Sequence, residues 1–221
     1  MTREVNVPIS NTEYHRFMND VVLRTIPEAK VFIKSSSFLM KAIYYVSFMW
    51  IWQRKFMTDY TTTIGYKVYA ADWMVDQKAW GTLYGIMRHE FVHMLQKRKW
   101  GNLFTLGYLF PQIFALLAFG SISAIWLGPW GLMPLVFILA LLPFPSPFRS
   151  KWEAEGYTQT ILVSYERRGA IDNRMIDRIK KHFTGPDYYF MNPFKGRVDK
   201  MFEKIVSDIK SKKIIGFFLS Y

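Results

Sequence analysis

The chain has 221 residues, enough to bury a full hydrophobic core and most simply read as one domain. A net charge of +12 coexists with 51% hydrophobic and 18% aromatic residues, so greasy and basic regions must be segregated along the sequence. The absence of cysteine excludes a disulfide framework and any thiolate metal site.

Residues 1–36 contain Glu4, Glu13, Asp20 and Glu28 and no unbroken apolar run, so neither a signal peptide nor a targeting helix is expected there. Residues 11–26 predict a helix with Tyr14, Phe17, Met18, Val21 and Val22 as its apolar side, ended by Pro27. Residues 42–52 are intensely apolar but bounded by Lys41 and by Arg54-Lys55. That length fits a buried or interfacial helix better than a membrane span, which needs about twenty residues. Residues 61–70 follow Asp59-Tyr60, are rich in β-branched and aromatic side chains, and read as one strand.

Residues 80–96 hold the pentapeptide His89-Glu90-Phe91-Val92-His93. On a helix, positions i and i+4 lie one above the other, so both imidazoles reach one metal ion while Glu90 points beside it. That is a zinc-hydrolase geometry, with Glu90 as general base. Trp80, Leu83, Tyr84, Met87, Phe91, Met94 and Leu95 recur at three- and four-residue steps and leave the histidines on another face. Gly85, one turn before His89, leaves room there. Lys97-Arg98-Lys99 mark the helix end, where cations suit the dipole.

Residues 103–148 contain no charged residue, and Gly128-Pro129-Trp130-Gly131 divides them into segments 103–127 and 132–148. As α-helix, the first can cross a hydrocarbon core of roughly 30 Å, while the second reaches about 25 Å and carries four prolines. A membrane hairpin is expected, spanning or re-entrant; a greasy helical pair buried in a soluble fold is the alternative. Residues 1–102 hold 14 Lys and Arg against 8 Asp and Glu, and residues 149–221 hold 15 against 9. Equal basic flanks around an even number of crossings put both flanks, and the catalytic part with them, on the cytoplasmic side. Basic residues near the bilayer also attract anionic lipid.

A catalytic zinc wants a third protein ligand and an open position. Residues 151–160 offer Glu153 and Glu155 on a second helix, with Ser150 as its cap. His89-Glu90-Phe91-Val92-His93 followed by Glu153-Ala154-Glu155-Gly156 resembles the gluzincin clan of zinc metalloproteases. The resemblance implies Glu153 as third ligand and Gly156 as the small residue that lets two helices pack closely, with Glu155 the alternative ligand. Tyr157 stands where many members have an aspartate that orients a metal-binding histidine. The membrane segments between the two motifs are similar to those of membrane-anchored proteases of the heat-shock and CAAX-prenyl type. Compact HExxH proteins of phage and bacterial genomes are similar to the same degree.

Downstream, Gly169, Gly185-Pro186 and Asn192-Pro193 break the chain into short units. Residues 197–211 form an amphipathic helix, and residues 214–219 are greasy enough to dock. Gluzincins commonly add a Tyr, His or Arg donor for the oxyanion; the candidates are Tyr157, Tyr165, His182, Tyr188 and Tyr189. The expected fold is α+β and mainly helical, a minimal gluzincin-like zincin with a short edge sheet and an inserted hydrophobic hairpin. Residues 1–102 carry the HExxH helix, 103–148 the hairpin, and 149–221 the third-ligand helix and C-terminal part of the same domain. The expected activity is a membrane-associated zinc-dependent metalloendopeptidase, with Zn2+ on His89, His93 and Glu153. Its partners are then a peptide or protein substrate and a lipid bilayer. The alternative is a membrane-inserted structural or assembly protein, such as a virion component, that retains a zincin fold. Nucleic acid is not expected, because the basic residues are dispersed and no recognised module is present.

Overall fold

The computed structural model describes residues 12–46, 54–76, 79–142, 144–188, 190–211 and 213. Expectations for residues 47–52, for Tyr189 and for residues 214–219 fall outside the described residues. The chain is α+β and mainly helical, with one three-stranded sheet. It forms two compact units, residues 1–99 with 155–171 and residues 100–154 with 172–221. One unbroken helix, Pro147–Arg168, passes from the second unit into the first.

In the first unit, the N-terminal helix runs through Thr12–Phe17, a wider π turn at Met18–Val22, and Leu23–Thr25. Tyr14, Phe17 and Val22 are buried on its apolar side. Residues 61–70 are two strands rather than the single one expected. Strand β2 (Thr62–Ile64) pairs antiparallel with β3 (Lys67–Ala70) across the two-residue turn Gly65-Tyr66. Gly65 has a φ of +63°, the positive value that the tight hairpin turns need and that glycine adopts without strain. A third strand, β1 (Lys30–Ile33), pairs parallel with β3, so the order is β1-β3-β2 and β2 lies at an edge.

The histidine helix, Trp80–Trp100, is continuous for 21 residues. Its apolar face takes Phe17 edge-on against Tyr84 and Phe91, with ring centroids 5.5 and 5.8 Å apart. Its polar face meets the glutamate helix, Pro147–Arg168, running antiparallel: Gly81 approaches Arg167, Gly85 approaches Val163, and His89 approaches Gly156 and Thr160. Arg88, buried between them, donates from Nη1 to Glu166 Oε2 at 2.6 Å and from Nη2 to Gln159 Oε1 at 2.9 Å. A buried guanidinium with two such acceptors fixes the register of the two helices, because sliding either one would strand the charge.

In the second unit, a short helix at Asn102–Leu109 packs on the N-terminal half of the glutamate helix. A Cβ on Gly107 would stand 2.6 Å from the Trp152 ring. The helix stops before Pro111, which has no N–H to continue it. Residues Gln112–Ser123 and Gly128–Leu141 are then tightly wound 3₁₀ legs joined through Ala124–Leu127. The stretch Gln112–Ala140 is long and apolar enough to cross a membrane, and almost none of it is buried in the protein. It does not run as one rod. A Cβ on Gly131 would lie 2.3 Å from the Ala124 backbone, and one on Gly120 would lie 3.4 Å from the Pro134 ring, so the chain folds back on itself. At about 2.0 Å per residue the legs are roughly 24 and 28 Å long, close to the hydrocarbon thickness of about 30 Å.

The glutamate helix begins three residues before the expected cap at Ser150. Pro147 occupies its first position, where a missing N–H costs nothing, and Ser150 lies inside the helix, accepting from Asn192 Nδ2 at 3.2 Å. Two further helices complete the unit. Asn173–Thr184 is capped by Asp172, whose Oδ1 accepts from Arg174 N at 2.9 Å. Lys195–Lys210 buries Val198, Phe202 and Ile209 as its periodicity requires, with Phe202 edge-on to Phe183.

Candidate metal centre

The histidine helix carries His89 and His93 one turn apart, and their Nε2 atoms face each other at 3.1 Å. Glu153 belongs to the same cluster: one ligand atom from each of His89, His93 and Glu153 lies within 4.8 Å of the others. Glu153 sits one residue before the unit division, on the unbroken glutamate helix. Gly156, Tyr157 and Thr160 share its face at i+3, i+4 and i+7, and all three border His89. Glu153 is 2% exposed. Glu155, about two hundred degrees further round the helix, instead accepts from Gln96 Nε2 at 2.8 Å.

The hydrogen bonds around His93 indicate which of its nitrogens carries the proton. Gln96 gives its Nε2 to Glu155, so its Oε1 is the atom 2.9 Å from His93 Nδ1 and can only accept. His93 therefore donates from Nδ1, which leaves Nε2, facing His89 Nε2, as the nitrogen available to a metal. Such a relay from carboxylate through amide to imidazole is the kind of outer partner that fixes a metal-binding histidine. On His89, Nδ1 lies 3.4 Å from Thr160 Oγ1, which leaves Nε2 directed at the same point. Two nitrogens on one tetrahedral zinc stand about 3.3 Å apart, so the observed spacing and the donor set of two imidazoles and a carboxylate fit that ion.

Gly156 is required by this arrangement, since a Cβ there would lie 2.8 Å from both Cε1 and Nε2 of His89. Gly85, which the sequence singled out for space, is different: a Cβ there would make only ordinary contact with Val163 at 4.0 Å. Tyr157 stands edge-on to His89, ring centroids 4.8 Å apart. Glu90 Oε2 accepts from Thr63 Oγ1 at 2.7 Å, tying the carboxylate to edge strand β2. Of the other donors considered, Tyr165 lies further along the glutamate helix, and His182 packs on Tyr188 in the second unit.

Lys34, fully buried at the end of β1, donates to Phe56 O at 2.7 Å, Tyr60 O at 2.9 Å and Thr62 Oγ1 at 2.8 Å. Burial pushes its pKa down to about 7, and the carboxylate of Glu90 pulls partly in the other direction. Through Tyr60 and Thr62 it anchors the chain that leads into β2, and so holds Thr63 in register. Thr63, Gln96, Lys34 and Tyr108, which donates to Glu153 Oε1 at 2.5 Å, were not singled out by sequence reasoning. Only Gln96 had a local signal, at i+3 from His93. No family model, curated protein or solved structure matches the chain.

Proposed function

We propose that the chain is a membrane-associated zinc-dependent metalloendopeptidase of gluzincin type, with His89, His93 and Glu153 holding the metal and Glu90 as general base. The observation that carries this reading is the pair of facing Nε2 atoms at 3.1 Å, with His93 Nδ1 engaged by the Gln96–Glu155 relay, beside a buried carboxylate. Zinc held by His89, His93 and Glu153 would supply a Lewis acid for a peptide carbonyl and would lower the pKa of water there toward roughly 7. Glu90, oriented by Thr63, takes the proton of the attacking water and hands it to the leaving amine. The same sheet supports an extended substrate. Strand β2 pairs with β3 on one side, and its other edge offers backbone N–H and C=O groups to a peptide regardless of side-chain sequence.

Membrane association is supported by the hairpin, whose Phe119, Ile125, Trp126 and Trp130 are each at least 70% exposed and have no charged neighbour in residues 103–148. A folded-back hairpin returns both basic flanks to one side of the bilayer, the cytoplasmic one. The test is elemental analysis of chelator-free protein together with peptide hydrolysis by wild type and Glu90→Gln. One zinc per chain in both, with hydrolysis lost only in the variant, is the expected result. Wild-type protein without zinc overturns the reading. Zinc without hydrolysis in the wild type favours the membrane-inserted assembly protein.

A further inference from the structure

The third ligand is held by the base of the hydrophobic hairpin. Tyr108 lies in the last turn of the short helix Asn102–Leu109, four residues before the first 3₁₀ leg begins at Gln112. Its hydroxyl donates to Glu153 Oε1 at 2.5 Å. Its carbonyl accepts from Arg149 Nε at 2.8 Å and Nη2 at 2.6 Å, and the same Nη2 donates to Gln112 Oε1 at 3.0 Å. Arg149 and Glu153 are one turn apart on the glutamate helix, so a single tyrosine is gripped at both its ends by the helix that carries the ligand. The grip has little slack. Gly107 is pressed against Trp152, and Phe110, the next residue but one after Tyr108, lies edge-on to Phe148. A carboxylate that is 2% exposed is oriented by the directed donors that reach it, and Tyr108 is one that the hairpin root supplies.

We propose that Tyr108 is a positioning residue for Glu153, and that through it metal affinity depends on the seating of the hairpin in a lipid bilayer. The hairpin has few contacts with the rest of the protein to fix it, so lipid is what holds its legs, and Gln112 and Tyr108 transmit that hold to Arg149 and Glu153. The inference rests on the metal centre proposed above.

The experiment uses the full chain reconstituted in phosphatidylcholine–phosphatidylglycerol vesicles. Zinc affinity is read by competition with a chromophoric chelator, and ligand geometry by the visible absorption of the Co2+-substituted protein. Tyr108→Phe keeps the ring and should weaken zinc binding by about 10- to 100-fold, the range for loss of an outer partner, with a changed Co2+ band and an unchanged melting temperature of the metal-free protein. The pair Phe119→Asp and Ile125→Asp, at positions 70% and 76% exposed, removes no internal packing and should both release the hairpin from vesicles and weaken zinc binding. Combined with Tyr108→Phe, it should add little, because both act through one contact. Wild-type zinc affinity in Tyr108→Phe overturns the positioning role. Wild-type affinity in the aspartate pair after release from vesicles, or fully additive losses, overturns the link to lipid. A wild type that binds no zinc removes the metal centre itself, a failure distinct from these.

Discussion

Gly156→Ala is the sharpest test of the helix packing behind the proposed metal centre. The substitution adds one methyl group to a mid-helix position, where alanine is intrinsically favoured over glycine by about 1 kcal/mol. Here the new Cβ would stand 2.8 Å from His89 Cε1 and Nε2 and 3.1 Å from Cδ2. Ordinary contact begins at 3.4 Å, so the ring must retreat by about 0.6 Å or the helices must part by as much. Metal–ligand distances tolerate about 0.2 Å, so the imidazole leaves its bonding position. The expected loss in zinc affinity is at least about 10-fold and reaches about 100-fold, as for loss of an outer partner. Gly85→Ala is the control on the facing helix: its Cβ meets Val163 at 4.0 Å, an ordinary contact. It should keep zinc affinity and raise the melting temperature by a few degrees, the effect of about 1 kcal/mol in a chain of this size. The assay is chelator competition for both variants alongside thermal melts of the metal-free proteins. Wild-type zinc affinity in Gly156→Ala would refute the close approach of His89 to this helix.

Thr63→Val removes the donor to Glu90 while keeping the strand, and should lower kcat by about 10- to 100-fold with unchanged zinc content, since a hydrogen bond to a charged group contributes about 1.5–3 kcal/mol. Unchanged kcat would show that the carboxylate is oriented by other means. Lys34 yields a pH signature. Its folded pKa of about 7 lies below the ordinary lysine value of 10.5, so between those values the unfolded chain binds the extra proton, and stability rises with pH across that window. The effect is at most about 5 kcal/mol. Lys34→Met should lose that rise in denaturant midpoints measured from pH 6 to 10, and a variant curve parallel to the wild type would contradict the depressed pKa. Asn102→Cys and Lys151→Cys, exposed at the two roots of the hairpin, should be labelled by an impermeant thiol reagent from the same side of a vesicle. Opposite accessibility would exclude the hairpin topology.

Much of the fold was legible where one element carries its own pattern. The histidine helix, the glutamate helix and the amphipathic helix over Lys195–Lys210 follow apolar steps of three and four residues that no neighbour needs to complete. The sheet was harder to read. Strands of three and four residues are too short for a period of two to register, and the parallel pairing of β1 with β3 depends on partners far apart in sequence. Gly65 was visible inside the run taken as one strand, and an isolated glycine there is the signal of a turn that should have split it. The hairpin was legible as composition but not as geometry. A charge-free sequence states what solvent a segment tolerates and leaves its winding open, which is why legs expected as α-helix are the longer, thinner 3₁₀ form.

At the site, spacing along one helix brought His89, Glu90 and His93 to notice, because i and i+4 are neighbours whatever surrounds them. The outer partners depend on packing between helices. Where the gluzincin resemblance implies an aspartate to orient a histidine, this chain has Tyr157. In the structure the oriented histidine is His93, its partner is Gln96 on its own helix, and the charge behind that amide is Glu155. The two glutamates that competed for one role thereby divide into two, because residues i and i+2 on a helix point about 200° apart and cannot face the same ion. Exchanging them is therefore not neutral. Glu155→Gln removes the charge that orders Gln96 and frees its amide to flip, so His93 loses the partner on its Nδ1 while all three proposed ligands are kept. The expected signature is zinc affinity that falls several-fold, the effect of a lost outer partner. A Glu155→Gln variant with unaltered affinity across pH 5.5–7.5 would show that the relay does not govern His93.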